Sequence, residues 1–334
     1  MPRISILMPC RDAAACLTEA AASLDTQTYP DFEVVAVDDG SEDHTHDALL
    51  DWARRDPRVR VLRSPRRGIV AALTAGLAAA HGELIARMDA DDVADPQRFE
   101  KQVALLDAEP TITACGTGVR YFPRAAVRDG ARRYERWLNG LTTPDAIARD
   151  IFVECPIPHP TLLIRRSALV AVGGYREIGA PEDYDLVLRL WAAGHRMAKV
   201  PEVLLHWRES PGRASRTDPR YSAAAFRRLK VDVLRRTLLA HRDGAVVWGA
   251  GPTGKALARE LSAQGVRLRA FVDLDPRKIG QTIHGAPVIP PDDIDRYRDA
   301  FALGAVARPG ARAEIRAALA GRGWREMQDF CVAA

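Results

Sequence analysis

Four short apolar runs, separated by helical stretches, fill the first ninety residues. The runs are Ile4–Met8, stopped by Pro9, then 31–37, 59–62 and 83–88. Between them Ala13–Leu24, Thr45–Arg55 and Ile69–Ala80 carry helical patterning. This alternation predicts an α/β fold: an open, mostly parallel sheet with flanking helices. In such sheets ligands bind beyond the carboxyl ends of the strands. Three of those ends carry clusters of chemically distinctive residues: Pro9-Cys10-Arg11, Asp38-Asp39-Gly40-Ser41 and Asp89-Ala90-Asp91-Asp92.

A chain of 334 residues is long enough for about two domains. A break at Arg242-Asp243-Gly244 precedes a second strand–glycine turn–helix pattern, so the expected domains are residues 1–240 and 244–334. The formal net charge of +4 is too small to argue for nucleic acid as a partner. Of 48 basic residues 43 are arginine, a bias that leaves phosphate or carboxylate recognition to particular sites. The five cysteines, at 10, 16, 115, 155 and 331, are scattered and form no C-x-x-C pair, which points away from a disulfide framework or a zinc cluster. No signal-peptide pattern or long apolar span is present, so a cytoplasmic protein is expected, with loose attachment to a membrane surface left open.

On an extended segment side chains two apart share a side, so Asp89 and Asp91 are expected to face one site. Paired carboxylates repel unless a cation lies between them. A hard divalent ion such as Mg²⁺ suits oxygen ligands and is often shared with phosphates. Asp95-Pro96 reads as an N-cap followed by Pro at the first helical position.

The stretch from Ile4 to Gln102 resembles the nucleotide-sugar-binding half of the family 2 glycosyltransferases, which have the GT-A fold. The resemblance is carried by Ser5-Ile6-Leu7-Met8-Pro9, by Gln27-Thr28-Tyr29-Pro30-Asp31-Phe32-Glu33 and by Val37-Asp38-Asp39-Gly40-Ser41. It continues through residues 82–92 and Pro96-Gln97-Arg98-Phe99-Glu100-Lys101-Gln102. It implies that Asp39 recognises the uracil of a UDP-type donor, that Asp89 lies near the donor sugar or ribose, and that Asp91 binds Mn²⁺ or Mg²⁺ on the diphosphate. Pro9, Arg11 and Arg67 are further donor-side candidates.

An acceptor hydroxyl needs a general base. Asp183, at the start of the helical run 182–193, is favoured in its ionised form by the helix N-terminus. Residues 182–190 also resemble the family's Glu-Asp motif, which makes Asp183 the expected base of an inverting enzyme and Glu182 its neighbour or backup. Asp185 is expected to be structural. Cys155–Thr161 resembles the family's His-Pro-Ser segment, with Thr161 in place of Ser, and sets His159 at the acceptor pocket or its loop. Arg208, Arg213 and Arg216 are candidates for phosphate contacts, in or beside an expected polar loop at 211–217, and His206 is a third candidate metal ligand.

Gly249-Ala250-Gly251-Pro252-Thr253-Gly254 fits G-x-G-x-x-G between a strand and a helix, with Asp273 about twenty residues on. This second, smaller α/β domain is Rossmann-like. It resembles the half that precedes some bacterial sugar-modifying acetyltransferases, where it binds a nucleotide sugar. The whole chain thus reads as an inverting, metal-dependent glycosyltransferase, with a nucleotide-sugar donor and a glycan or lipid-linked acceptor. The alternatives are a nucleotidyltransferase, for which the region after the first strand lacks a glycine-rich phosphate loop, and a non-catalytic nucleotide-sugar sensor.

Overall fold

The computed structural model describes residues 1–210 and 212–334; Pro211, within the polar loop expected at 211–217, lies outside the described residues. The described residues form two compact units. One contains residues 1–147, 156–178 and 182–217; the other contains 148–155, 179–181 and 218–334. The helix Ala223–Arg236 therefore groups with the second unit.

The first unit is built on an eight-stranded sheet. In chain order its strands are β1 (Ile4–Cys10), β2 (Phe32–Asp38), β3 (Val59–Arg63), β4 (Leu84–Arg87), β5 (Val93–Ala94), β6 (Ile112–Phe122), β7 (Leu163–Arg165) and β8 (Arg196–Arg208). They lie in the order β3-β2-β1-β4-β7-β6-β8-β5. The β3-β2-β1-β4 half is parallel throughout. β2 is buried at every position, as a central strand covered on both faces must be. β7 is antiparallel to both neighbours, and β6 runs parallel to β8. Pro9 does not stop the first strand; it lies inside β1, opposite Val37 of β2. The helix Ile69–Ala79 packs close to the sheet because Gly76 has no side chain: a Cβ there would meet Leu7 at 3.3 Å and Val37 at 3.4 Å.

Much of the family-like sequence turns out to be scaffold beneath the strand ends. Glu33 accepts from Ser5 Oγ at 2.6 Å and from the His81 amide at 2.7 Å. Gly82 is required there, since a Cβ would stand 2.6 Å from the Ser5 nitrogen. Gln27 donates to the Asp95 carbonyl at 2.8 Å, and Gln102 donates to the Thr161 carbonyl at 2.8 Å. Arg98, wholly buried, donates to the Arg87 carbonyl at 2.7 Å. These bonds join the ends of β4 and β7 to the helix Arg98–Ala108. That helix begins two residues later than its expected Pro96 start. Asp95 Oδ1 instead accepts from the Gln97 amide at 2.9 Å, closing a turn ahead of the helix.

The second unit holds a six-stranded sheet. Its strands are β9 (Ala245–Trp248), β10 (Leu268–Val272), β11 (Thr282–Ile283), β12 (Ala286–Ile289), β13 (Phe301–Gly304) and β14 (Phe330–Val332). The order is β11-β12-β10-β9-β13-β14, parallel except for the β11–β12 pair. Among the described residues no helix is long and apolar enough to cross a membrane.

Candidate active site

The site is built where β1, β2 and β4 end side by side. After β2, Asp39 is buried and accepts from the backbone amides of Arg67 and Gly68, both at 2.8 Å. The Arg66–Gly68 turn is thereby tied to the strand end, although the Arg67 side chain is exposed. Gly40, at φ +70°, lets this turn close, since a Cβ would meet the Arg66 nitrogen at 2.8 Å. Pro9 is half-buried at the end of β1, and Arg11 is exposed, 3.8 Å from Asp12.

After β4 the chain turns rather than running extended. The Asp92 amide reaches back to the Asp89 carbonyl at 3.4 Å. The turn gathers Asp89, Asp91 and Asp92, which each offer a carboxylate oxygen within 4.8 Å of the others. Asp92 is buried. Its Oδ1 accepts from the Arg208 amide at 2.7 Å, while Oδ2 is buried with no hydrogen-bond partner. Burial and the nearby Asp89 charge push the Asp91 carboxyl up to about 6. Burial, Asp89 and Asp91 together raise Asp92 well above the usual carboxylate range. A buried carboxylate oxygen with nothing to bond, beside two further carboxylates, is the donor set of a hard cation. The residues present therefore fit a divalent ion. Asp92 was not singled out from the sequence; its neighbours Asp89 and Asp91 were.

The floor of this cluster is Arg87. It is buried, donates to Asp89 Oδ1 at 2.6 Å, and has two further guanidinium nitrogens buried without partners. Arg87 also stands within electrostatic reach of Tyr175 and Glu182. Tyr175 in turn feels both Glu182 and Asp183. Arg87 and Tyr175 thus link the cluster after β4 to the start of the helix Glu182–Ala192. Asp183 is half-exposed at that helix start, and its Oδ1 accepts from the Tyr184 amide at 2.7 Å. Glu182 is buried, 3.6 Å from His159 Nδ1. His159 Nε2 lies 3.4 Å from the Tyr175 hydroxyl. Burial, followed by the Arg87 charge, drives His159 well below its ordinary pKa, so the ring is neutral and its contact with Glu182 is no ion pair. Asp185 is buried under Arg176 and Arg189, a structural role.

The end of β8 borders the cluster. Arg208 donates through Nε to the Asp91 carbonyl at 2.6 Å and lies over the Phe122 ring at 4.4 Å. It holds the acidic turn. Arg213 stacks over Trp207 at 4.5 Å, pairs with Glu209 at 3.3 Å, and its charge is felt at Asp91 and Asp92. Arg216 pairs with Glu209. His206 is opposite Val93 in the β5–β8 pair and packs edge-on to Phe122 at 6.1 Å. It is not in the group of close carboxylates.

The model of the family "Glycosyl transferase family 2" matches residues 5–172, half of the chain and the part that carries the acidic turn. The chain belongs to glycosyltransferase family 2. Among relatives of this glycosyltransferase, the amylovoran biosynthesis glycosyltransferase AmsE of Erwinia amylovora is 32% identical over 190 residues, covering 57% of this chain and 69% of AmsE. Among solved structures, TarS (residues 1–349) of S. aureus, in complex with UDP-GlcNAc, is similar at a TM-score of 0.59 and 20% identity. That match covers 78% of this chain and 71% of TarS. The mannosyltransferase PcManGT of Pyrobaculum calidifontis, in complex with GDP-Man and Mn²⁺, is similar at 0.51 and 23% identity, over 78% and 74% of the two chains. The fold of this glycosyltransferase is the GT-A fold.

Proposed function

We propose that this glycosyltransferase is an inverting, divalent-metal-dependent enzyme. It moves a sugar from a UDP-type donor to an acceptor hydroxyl of a saccharide or lipid-linked glycan, in the building of a polysaccharide. The observation that carries the proposal is the group of three carboxylates within 4.8 Å, one with an unpartnered buried oxygen. Asp89, Asp91 and Asp92 would hold Mn²⁺ or Mg²⁺. Such an ion supplies Lewis-acid stabilisation of the leaving diphosphate. The relatives support this chemistry: TarS is seen with UDP-GlcNAc, PcManGT with GDP-Man and Mn²⁺, and AmsE is named for amylovoran biosynthesis.

The chain's own groups have the following roles. Asp39, held by two backbone amides, reads the donor base, and Pro9, Arg11 and Arg67 border the donor. Arg213 faces the diphosphate, whereas Arg208 acts by holding the Asp91–Asp92 turn in place. Asp183 accepts the proton of the acceptor hydroxyl as its oxygen bonds to the anomeric carbon. The bond from that carbon to the diphosphate oxygen breaks on the opposite face, which inverts the configuration. Glu182, Tyr175 and neutral His159 form the buried wall behind Asp183.

The test is nucleotide release from UDP-, GDP- and dTDP-sugars with Mn²⁺ and with EDTA. Turnover that requires metal, falls by at least about a hundredfold in Asp91→Ala, and falls by about 10²–10⁴-fold in Asp183→Asn is expected. Full activity of Asp183→Asn would remove the base assignment.

A further inference from the structure

The second unit contains a cavity of about 540 Å³ at the carboxyl ends of β9, β10 and β13. From β9 the chain passes first to β10 on one side and later to β13 on the other. The strand order therefore diverges at β9, the crevice position at which open α/β sheets take ligands. The volume is in the range of small-molecule sites, ~300–1,000 Å³.

The glycines of the 249–254 turn divide into two kinds. A Cβ on Gly249 would stand 2.6 Å from Val306, and one on Gly254 only 1.7 Å from the Gly249 carbonyl oxygen. Gly249 is demanded by its φ of +120° and by the chain after β13, and Gly254 by the turn itself. Gly251 is not: its φ of −87° and ψ of −174° suit any residue, and a Cβ there would have no atom within 4 Å. Its backbone lies bare against the cavity. It is also the cap of the helix Pro252–Ala263, which has no side-chain cap bond, so the first-turn amides keep their donor capacity for an anion.

The other cavity groups suit the rest of a nucleotide. Burial disfavours charge on Asp273, but the Asp275 amide and Lys278 bonds outweigh it and hold the carboxylate below its usual range. Oδ2 accepts from the Ala250 amide at 2.8 Å and from Lys278 at 3.0 Å, and Oδ1 accepts from the Asp275 amide at 2.9 Å. A carboxylate has about four acceptor sites, so capacity remains on Oδ1 for a hydroxyl. Beside it Leu274, 67% exposed, gives the rim an apolar surface.

We propose that this cavity binds a nucleoside diphosphate unit, free or as part of a nucleotide sugar. The diphosphate lies on the Gly251 backbone and the helix N-terminus, a ribose hydroxyl donates to Asp273, and the base covers Leu274. The site is separate from the carboxylate cluster and needs no metal ion.

The experiment is calorimetric titration of the full chain in EDTA, in an Asp91→Asn background that disables metal-supported donor binding. UDP and ADP are the probes, and their relative affinities identify the preferred base. One saturable nucleotide per chain is expected. Gly251→Val, compatible with the backbone and free of internal clashes, should weaken it by at least about tenfold, a loss of roughly 1.4 kcal/mol, without changing the melting temperature. Asp273→Asn should weaken it in the same direction. No saturable binding of either nucleotide at millimolar concentration, or unchanged affinity in Gly251→Val, overturns the proposal.

Discussion

Replacing Asp91 by Asn should make the metal-free protein more stable while removing its activity. Asp91 titrates at about 6 rather than at its ordinary 3.8, because burial and Asp89 oppose its charge. A tenfold change in proton affinity is worth about 1.4 kcal/mol, so the charge costs roughly 3 kcal/mol at neutral pH. The sign follows from proton linkage. Between pH 3.8 and about 6 the native state holds this proton and the unfolded state has released it. Stability therefore falls as pH rises through that window and bears the full cost above it. Asn has the size of Asp without the charge, and it also relieves Asp92, which Asp91 pushes upward. In thermal denaturation at pH 7.5 in EDTA, a gain of about 3 kcal/mol in a domain of some 200 residues is worth roughly 6–12 °C. Mn²⁺ should raise the melting temperature of the wild type and leave that of Asp91→Asn nearly unchanged. A variant less stable than wild type in EDTA, or one that Mn²⁺ stabilises as much as wild type, would refute the electrostatic account of the cluster.

Further outcomes follow from the same geometry. His159 is held neutral by burial and Arg87, and it faces Glu182 and Tyr175. The stability difference between wild type and His159→Gln should shift against wild type as pH falls below about 6.5, measured by urea denaturation across pH. A pH-independent difference would mean that the ring is not buried neutral. Arg87→Met strands Asp89 and should cost about 3–5 kcal/mol, read in the same assay. Gly254→Ala should destabilise the second unit by about 1–3 kcal/mol or more, since its methyl would meet the Gly249 carbonyl, whereas Gly251→Ala should be close to neutral.

The parallel half of the first sheet was legible because each of its four strands is a local apolar run and three of them lead into a chemically distinctive cluster. β6 was not. Ile112–Phe122 carries Gly116 and Gly118 and lacks a clear apolar run, and it pairs with β8 some eighty residues later. Its glycines answer to distant partners: a Cβ would press on Ile157 at the first and on the Glu202 carbonyl at the second. Arg87 was hidden for a similar reason. An arginine in a strand reads as a surface residue, and only its burial under Asp89 marks it otherwise. The convergence of Asp89 and Asp91 was anticipated from extended geometry. The segment is a turn, and that difference brings Asp92 into the group. In the second unit the glycine pattern was visible. Which of its glycines serve the fold and which face the cavity depends on the distances around them.

The most direct test of the catalytic account needs no acceptor. Slow hydrolysis of an α-linked UDP-sugar by the enzyme with Mn²⁺, followed by proton NMR before the free sugar mutarotates, reports which anomer leaves the site. With Asp183 activating water on the face opposite the diphosphate, the β-anomer should appear first, and it should disappear in Asp183→Asn. Initial release of the α-anomer would contradict an inverting displacement with Asp183 as base.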